Sequence, residues 1–198
     1  MFEQLAPKPR TKNIRHADLL PSRPVWPLPM LNGRAPVVLT ANPKSPGIEL
    51  AYQRGTLFEL LTAYPAGTPN GTTRHFMPNM MPAFAVRDGV ITYAGKISYA
   101  YTVVVDHLNG WATYYSNLDF IFATPSSDKK LRRAEARVKA GDVLGYVGAA
   151  APDAFKCLHF QLWKRDDNHF APVDATPEMA QWSYVPWTDP RVTNAEAA

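Results

Sequence analysis

Apolar and polar positions alternate along the middle of the chain, and this period of two predicts β-strands. The segment "AFAVRDGVITYAG" alternates around Asp88–Gly89, and "YTVVVDH" is rich in β-branched residues. Asn109–Gly110 separates the latter from the aromatic run "WATYYSNL", which predicts a hairpin. "RVKAGDVLGYVG" predicts two more short strands around Gly141–Asp142. Short strands with frequent glycine turns indicate a mostly β protein, built as a small curved antiparallel sheet or open barrel.

The run "CLHFQLWK" predicts a strand that carries the residues of greatest chemical interest. Successive side chains of a strand point to opposite faces. One face is predicted to hold Cys157, His159, Gln161 and Trp163, and the other Leu158, Phe160, Leu162 and Lys164. A cysteine and a histidine on one face could belong to a metal site or a catalytic site, or could simply be packed there.

Three regions are predicted along the chain. Residues 1–35 are rich in proline and form an extended arm, whose apolar residues indicate that it lies along the domain or along a partner. Residues 36–175 form the β domain, which begins with the strand "APVVLTAN" and contains one short helix in "GTLFELLTAYPAG" and a long loop in "PAGTPNGTTRHFMPNMMP". Residues 176–198 form a turn-rich tail.

Composition narrows the class of protein further. The 198 residues include 19 prolines, which argues against a helical bundle, and one cysteine, which excludes an intrachain disulfide. The net charge of +4 is mild, and the basic run "DKKLRRAEARVK" is either a solvated segment or a contact for an anionic partner. Neither a nucleic-acid motif nor a membrane-spanning run is found, and no secretory signal, so synthesis in the cytoplasm is expected.

Several spaced elements occur in an order that resembles the lysostaphin/LytM family of zinc peptidoglycan endopeptidases. They are "DGVITYAG", the V-x-V-x-H-x-x-G hairpin "VVVDHLNG", "TYYSNL" (T-x-Y-x-x-L), "VKAGDVLGYVG" and "CLHFQLW". The resemblance covers about Val37 to Asp174. It implies the family's fold of the duplicated-hybrid-motif type, in which a small antiparallel sheet forms a groove with zinc on its floor.

The family's chemistry requires a particular set of side chains. An H-x-G-[IVL]-D motif and the second histidine of H-x-H supply three zinc ligands. The first histidine of H-x-H and the histidine of T-x-Y-x-H-L lie beside the metal-bound water. Three protein ligands leave zinc an open position, where bound water reaches a pKa of about 7 and can attack an amide. The flanking histidines move protons and stabilise the oxyanion.

This sequence departs from that set at four of five positions. The best match to the first motif is "SPGIEL", which puts Ser45 where the family has histidine and Glu49 where it has aspartate. Asn117 and Cys157 occupy the positions of the two flanking histidines, and His159 alone is unchanged. The resemblance therefore implies a degenerate site, with no catalytic residue at Asn117 or Cys157 and no metal expected at Ser45, Glu49 and His159.

The sequence thus favours a catalytically inactive or strongly impaired domain that is a structural or binding component of a larger assembly. By family analogy, a phage tail, baseplate or related injection particle is such an assembly. Protein partners would bind through the arm and the tail, and peptidoglycan could bind in the groove. The cofactor prediction is none.

The alternative is an active zinc endopeptidase with a rearranged metal site. Glutamate, cysteine and histidine can all bind zinc, so Glu49, Cys157 and His159 are its candidate ligands. His75 offers another route, because "HFMPN" imitates a His-x-x-x-Asp pair with asparagine in place of aspartate. That alignment leaves "SPGIEL" unexplained, so His75 is predicted to be a loop residue and His107 a structural or groove-lining one.

Overall fold

A computed structural model describes residues 23–39, 47–53, 75–122, 137–167 and 169–187. These residues form thirteen strands and one helix of four residues, α1 (Thr176–Met179), so the mostly β class is confirmed. The strands are β1 (Met30–Leu31), β2 (Val37–Leu39), β3 (Ile48–Gln53), β4 (His75–Phe76), β5 (Pro82–Phe84), β6 (Gly89–Ile97), β7 (Ala100–Asp106), β8 (Trp111–Ile121), β9 (Arg137–Val138), β10 (Val143–Val147), β11 (Leu158–Asp166), β12 (His169–Val173) and β13 (Pro186–Trp187).

An open antiparallel sheet carries the site. Its strand order is β2-β3-β11-β8-β7-β6-β9, with β12 paired to β11, and β10 paired to β8 and β5. The hairpin predicted around Asn109–Gly110 is confirmed, because β7 and β8 pair in register with Val105 opposite Thr113. The predicted alternation around Asp88–Gly89 belongs to β5 before it and β6 after it. These two strands do not pair with each other, because β5 pairs with β10 and β6 pairs with β7.

The two faces of the sheet differ in what covers them. One face carries the main hydrophobic core, to which β8 contributes Tyr115 and β11 contributes Phe160. On the other face, Trp163 and Tyr114 belong to a much smaller apolar cluster. The alternation predicted for β11 is confirmed, since its residues 158, 160 and 162 lie in the main core. We call the other face the groove face.

The described part of the proline-rich arm packs against the domain. Leu28 is wholly buried, and the ring of Trp26 stacks on Tyr184 at 4.9 Å between centroids. β1 pairs in parallel with β13, which joins the arm to the tail. The Phe84 backbone N–H donates to Pro27 O at 2.9 Å. These apolar arm residues therefore pack against other parts of the same chain.

Some predicted features lie elsewhere or outside the described residues. His75 is not in a loop, because it begins β4 and pairs with Gln53 at the end of β3. The pairing satisfies backbone groups that a surface loop would leave to water. The helix predicted in residues 55–67 and Ser45 fall outside the described ranges. Within those ranges, no helix has the length and apolar character needed to span a membrane.

Candidate functional site

Strand register sets three polar residues side by side on the groove face. His159 of β11 pairs with Glu49 of β3 on one side and with Ser116 of β8 on the other. Neighbouring strands lie about 4.8 Å apart, and directly opposite residues point to the same face. Ile48 and Leu50 enter the main core, so the intervening Glu49 points to the groove face. The β3–β11 register thus brings Glu49 and His159, which occupy two ligand positions of the family set, next to each other.

A bulge in β8 delivers Asn117 to this site. In a regular strand, Asn117 would share the core face with Tyr115. Tyr101 pairs with Leu118 and Val103 with Tyr115, however, so β8 carries one residue more than β7 between these pairs. Asn117 takes the left-handed conformation, with φ of 61°, which asparagine tolerates better than most residues. Its side chain consequently reaches Cys157, with Nδ2 3.7 Å from Sγ.

Cys157 is a neutral thiol at the centre of this group. It is only 5% exposed. Burial, and then the negative charge of Glu49, raise the pKa of the Cys157 thiol to about 12. A hydrogen bond between the thiol and the Glu49 carboxylate acts in the same direction, because only the protonated thiol can donate it. Asn117, Cys157 and Glu49 thus form one hydrogen-bonded set.

His159 has its own partners on β11. The Trp163 indole Nε1–H donates to Gln161 Oε1 at 2.8 Å. Gln161 Nε2 lies 2.8 Å from His159 Nε2. Gln161 is wholly buried, and a Cβ at Gly47 would come within 2.5 Å of its Cγ, so a glycine is needed where β3 approaches. The ring of Tyr114 meets that of His159 edge to face, at 6.1 Å between centroids.

These residues do not fit the zinc that the family resemblance implies. A cysteine binds zinc as thiolate, so zinc at Cys157 would have to displace the proton of a thiol whose pKa is raised by burial and by Glu49. An amide N–H faces its sulfur, and another faces His159 Nε2. Over the described ranges, His, Cys, Asp and Glu side chains form no group of three or more that could hold a metal ion. Glu49, Cys157 and His159 are thus not gathered into such a group.

His75 and His107 lie away from this group. His75 pairs with Gln53, four residues along β3 from Glu49, a separation of about 13 Å at about 3.3 Å per residue. His107 is buried, and it contacts Asp88 O and Thr113 Oγ1, both at 2.9 Å. The structure places neither histidine beside His159.

The sequence did not reveal the roles of Gln161, Trp163 and Ser116. The strand alternation puts the first two on the face of His159, which is the only signal the sequence offers for their contact. Ser116 is found only through the β8–β11 register, and its hydroxyl lies 3.0 Å from that of Thr102.

Comparison with known proteins identifies the family that this chain matches. Residues 69–172 match the model of peptidase family M23. That range includes Asn117, Cys157 and His159, and it begins after Glu49. The chain is 32% identical over 108 residues to the DD-carboxypeptidase/endopeptidase Mpg of Neisseria meningitidis serogroup B. The matched region covers 52% of this chain and 23% of Mpg.

A further curated relative and two solved structures are also similar to this chain. The cell division protein DipM of Caulobacter vibrioides is 31% identical over 111 residues, covering 55% of this chain and 17% of DipM. The structure of a protein named as a glycyl-glycine endopeptidase, lytM, from Ruminococcus gnavus superposes with a TM-score of 0.56 at 16% identity, over 84% of this chain and 63% of that one. A peptidase M23 protein from Pseudomonas aeruginosa gives 0.51 at 20% identity, over 83% and 54%. The structures bear on the fold alone, and the chain spans about a sixth to a quarter of the length of the curated relatives.

Proposed function

This chain belongs to peptidase family M23, and we propose that it is a non-catalytic member that serves as a structural or binding component of a larger assembly. The observation that carries the proposal is the hydrogen-bonded set of Asn117, Cys157 and Glu49. Two of its members stand where the family has histidines that move protons. An amide does not titrate, and a thiol with a raised pKa stays neutral at physiological pH.

The surviving histidine does not make up for this loss. His159 is one zinc ligand of the family set, and one ligand cannot fix the open three-ligand geometry that activates water. Glu49 retains a carboxylate, but that carboxylate is in contact with the Cys157 thiol. The groove face keeps a row of hydrogen-bonding side chains, Glu49, His159 and Ser116. Such a row suits holding a peptide, as in peptidoglycan stems, without cutting it.

An exposed aromatic cluster supports a protein partner. Phe120 and Phe122 are 51% and 52% exposed, and their ring centroids are 5.4 Å apart. Tyr146 joins them, at 5.3 Å from the ring of Phe122. Contiguous exposed aromatic side chains are typical of interaction surfaces, where aromatics are enriched. We include in the proposal an assembly such as a phage tail, baseplate or injection particle, reached from the cytoplasm where the chain is made.

The experiment measures zinc content and wall hydrolysis on the same preparation. Tag-free wild-type chain, dialysed and then reconstituted with zinc, is expected to hold much less than one zinc per chain and to release no amines from purified peptidoglycan. The matched comparison restores the family set with Ser45→His, Glu49→Asp, Asn117→His and Cys157→His. That variant is expected to gain zinc, which shows that the assay detects a working site.

Either of two results would contradict the proposal. One is chelator-sensitive release of amines by the wild-type chain that is lost in His159→Ala. The other is stoichiometric zinc in the wild type that is lost in Cys157→Ser, which would establish the rearranged metal site. Sedimentation of the wild type with cell walls, without amine release, supports a binding role for the groove face.

A further inference from the structure

We infer that Trp163 and Gln161 hold His159 in the neutral tautomer with its proton on Nδ1, and so weaken zinc binding by this remaining family ligand. The inference rests on the proposed function and deepens it, because it assigns part of the loss of metal binding to residues outside the family's ligand set. Gln161 and Trp163 are positioning residues here, since they act through His159.

The first step is the orientation of the Gln161 side-chain amide. An indole N–H can only donate a hydrogen bond. Trp163 Nε1 lies 2.8 Å from Oε1 of Gln161, so the amide oxygen must face the indole. Trp163 is itself buried in the apolar cluster of the groove face, which fixes the position of its N–H.

The second step is the proton on His159. With its oxygen committed to Trp163, Gln161 presents the Nε2 amino group to His159 Nε2 at 2.8 Å. That amino group donates, so His159 Nε2 must accept with its lone pair. A neutral imidazole has one N–H, which is then on Nδ1.

The third step is the consequence for a metal ion. A zinc ion on Nε2 would have to displace the Gln161 amide. A zinc ion on Nδ1 would require the proton on Nε2, where it would face the N–H of Gln161. Metal-binding histidines instead direct their second N–H to a carboxylate, a carbonyl or water. His159 thus meets a donor where a zinc ligand needs an acceptor.

The amide cannot easily turn over to relieve this conflict. Turning it would set the amino group against the Trp163 N–H and leave a buried donor without an acceptor, which is unfavourable. Gln161 is wholly buried, and it is in close contact with Gly47. A carboxylate of the same shape has no such conflict, because one oxygen can accept from Trp163 Nε1–H while the other accepts from His159 Nε2–H.

The test is the tautomer of His159, read from long-range ¹H–¹⁵N spectra of the imidazole rings at a pH where the ring is neutral. The wild type is expected to show the proton on Nδ1, and Gln161→Glu is expected to move it to Nε2. The matched control is Gln181→Glu, the same change at an exposed position, which should leave the spectrum of His159 unchanged. The proton on Nε2 in the wild type would overturn the inference, as would an unchanged tautomer in a folded Gln161→Glu.

A second variant covers the case in which Gln161→Glu does not fold. Trp163→Phe removes the indole donor and frees the amide to turn, so both tautomers should be populated. Retention of the Nδ1–H tautomer alone would overturn the inference.

Zinc affinity provides an independent measurement. In the background with the four family residues restored, Gln161→Glu should tighten zinc binding by about 10–100-fold, the usual scale for such supporting groups. Competition with a chromogenic chelator measures this change, and equal affinities with and without the substitution would contradict the role of Gln161. Wall hydrolysis by the wild type would overturn the proposed function, whereas the imidazole spectra decide the tautomer.

Discussion

His107 and His159 lie on opposite faces of the same sheet, and they differ in burial and in the hydrogen-bonding groups around them. His107 follows β7 on the core face and is 3% exposed. His159 lies on β11 on the groove face and is half-buried. Both have a partner on a ring nitrogen that fixes their proton. The comparison shows how a histidine is used for packing on one face and lies at a family ligand position on the other.

The tautomer of His107 on the core face is fixed by a hydrogen-bond acceptor, whereas that of His159 on the groove face is fixed by a donor. His107 Nδ1 faces Asp88 O, which can only accept, so the proton is on Nδ1 and Nε2 accepts from the Thr113 hydroxyl. Thr113 Oγ1 is also 3.0 Å from Tyr115 Oη, to which the Val86 N–H donates. These buried hydrogen bonds leave neither ring nitrogen of His107 unpaired. They explain a buried polar residue without invoking catalysis.

The largest expected effect is on stability at low pH, through His107. Burial lowers the pKa of His107 from 6.5 to about 4, an effect that the charge of Arg87 reinforces and the hydrogen bond to Asp88 O opposes. Between these values the unfolded chain binds a proton that the folded chain does not, so stability falls as pH decreases from 6.5 to 4. The loss reaches about 3 kcal/mol, at about 1.36 kcal/mol per pKa unit.

Urea unfolding at a series of pH values measures this effect, with His107→Gln as the comparison. The variant should lack the His107 contribution, so the difference in free energy of unfolding between the two proteins should shrink as pH decreases through this window. A constant difference from pH 6.5 to 4 would mean that His107 does not titrate as a buried neutral residue.

A smaller effect distinguishes the hydrogen-bonded chains on the two faces. Thr113→Val keeps the shape but removes the hydroxyl between His107 and Tyr115, and it should cost about 2 kcal/mol because buried polar atoms lose their partner. Ser116→Ala removes a half-buried hydroxyl on the groove face and should cost at most about 1 kcal/mol. Chemical denaturation measures the free energy of unfolding of both variants. Equal losses would show that the buried hydrogen bonds of the core face stabilise the fold no more than the Ser116 hydroxyl does.

The sequence predicted the sheet well because its signals are local. Alternation identified β11 and its two faces, and Asn109–Gly110 identified the β7–β8 hairpin. Such patterns need only the side-chain period and the turn chemistry of neighbouring residues. The family resemblance then located "SPGIEL", and the β3–β11 register places Glu49 opposite His159.

The rest of the site depended on contacts between distant residues. The bulge that turns Asn117 toward Cys157 follows from a mismatch of one residue between β7 and β8, which no local pattern reports. The Trp163–Gln161–His159 contacts require side-chain orientations as well as a shared face. His75 was misassigned to a loop because a two-residue strand has too short a pattern to recognise.

Cys157 offers a test of whether the groove-face group is held by hydrogen bonds or by packing. If the thiol acts mainly as a donor to Glu49 and an acceptor from Asn117, serine can replace it, and Cys157→Ser should stay within about 0.5 kcal/mol of the wild type. Cys157→Ala removes both contacts and should cost about 1 kcal/mol. Thermal and urea unfolding measure both variants. The opposite order, with alanine better tolerated than serine, would indicate a buried hydrophobe.

The smallest stability effect is expected at the exposed aromatic cluster, which lies outside both histidine groups. Phe120 is 51% exposed, so Phe120→Ser should change the free energy of unfolding by less than about 0.5 kcal/mol. Phe160 is wholly buried in the main core, and Phe160→Ser should cost several times more, because it opens a cavity and buries a hydroxyl. Urea unfolding of the pair measures both. A large loss at Phe120 would show that the aromatic cluster stabilises the fold, whereas a small one leaves its apolar surface to be explained by a partner.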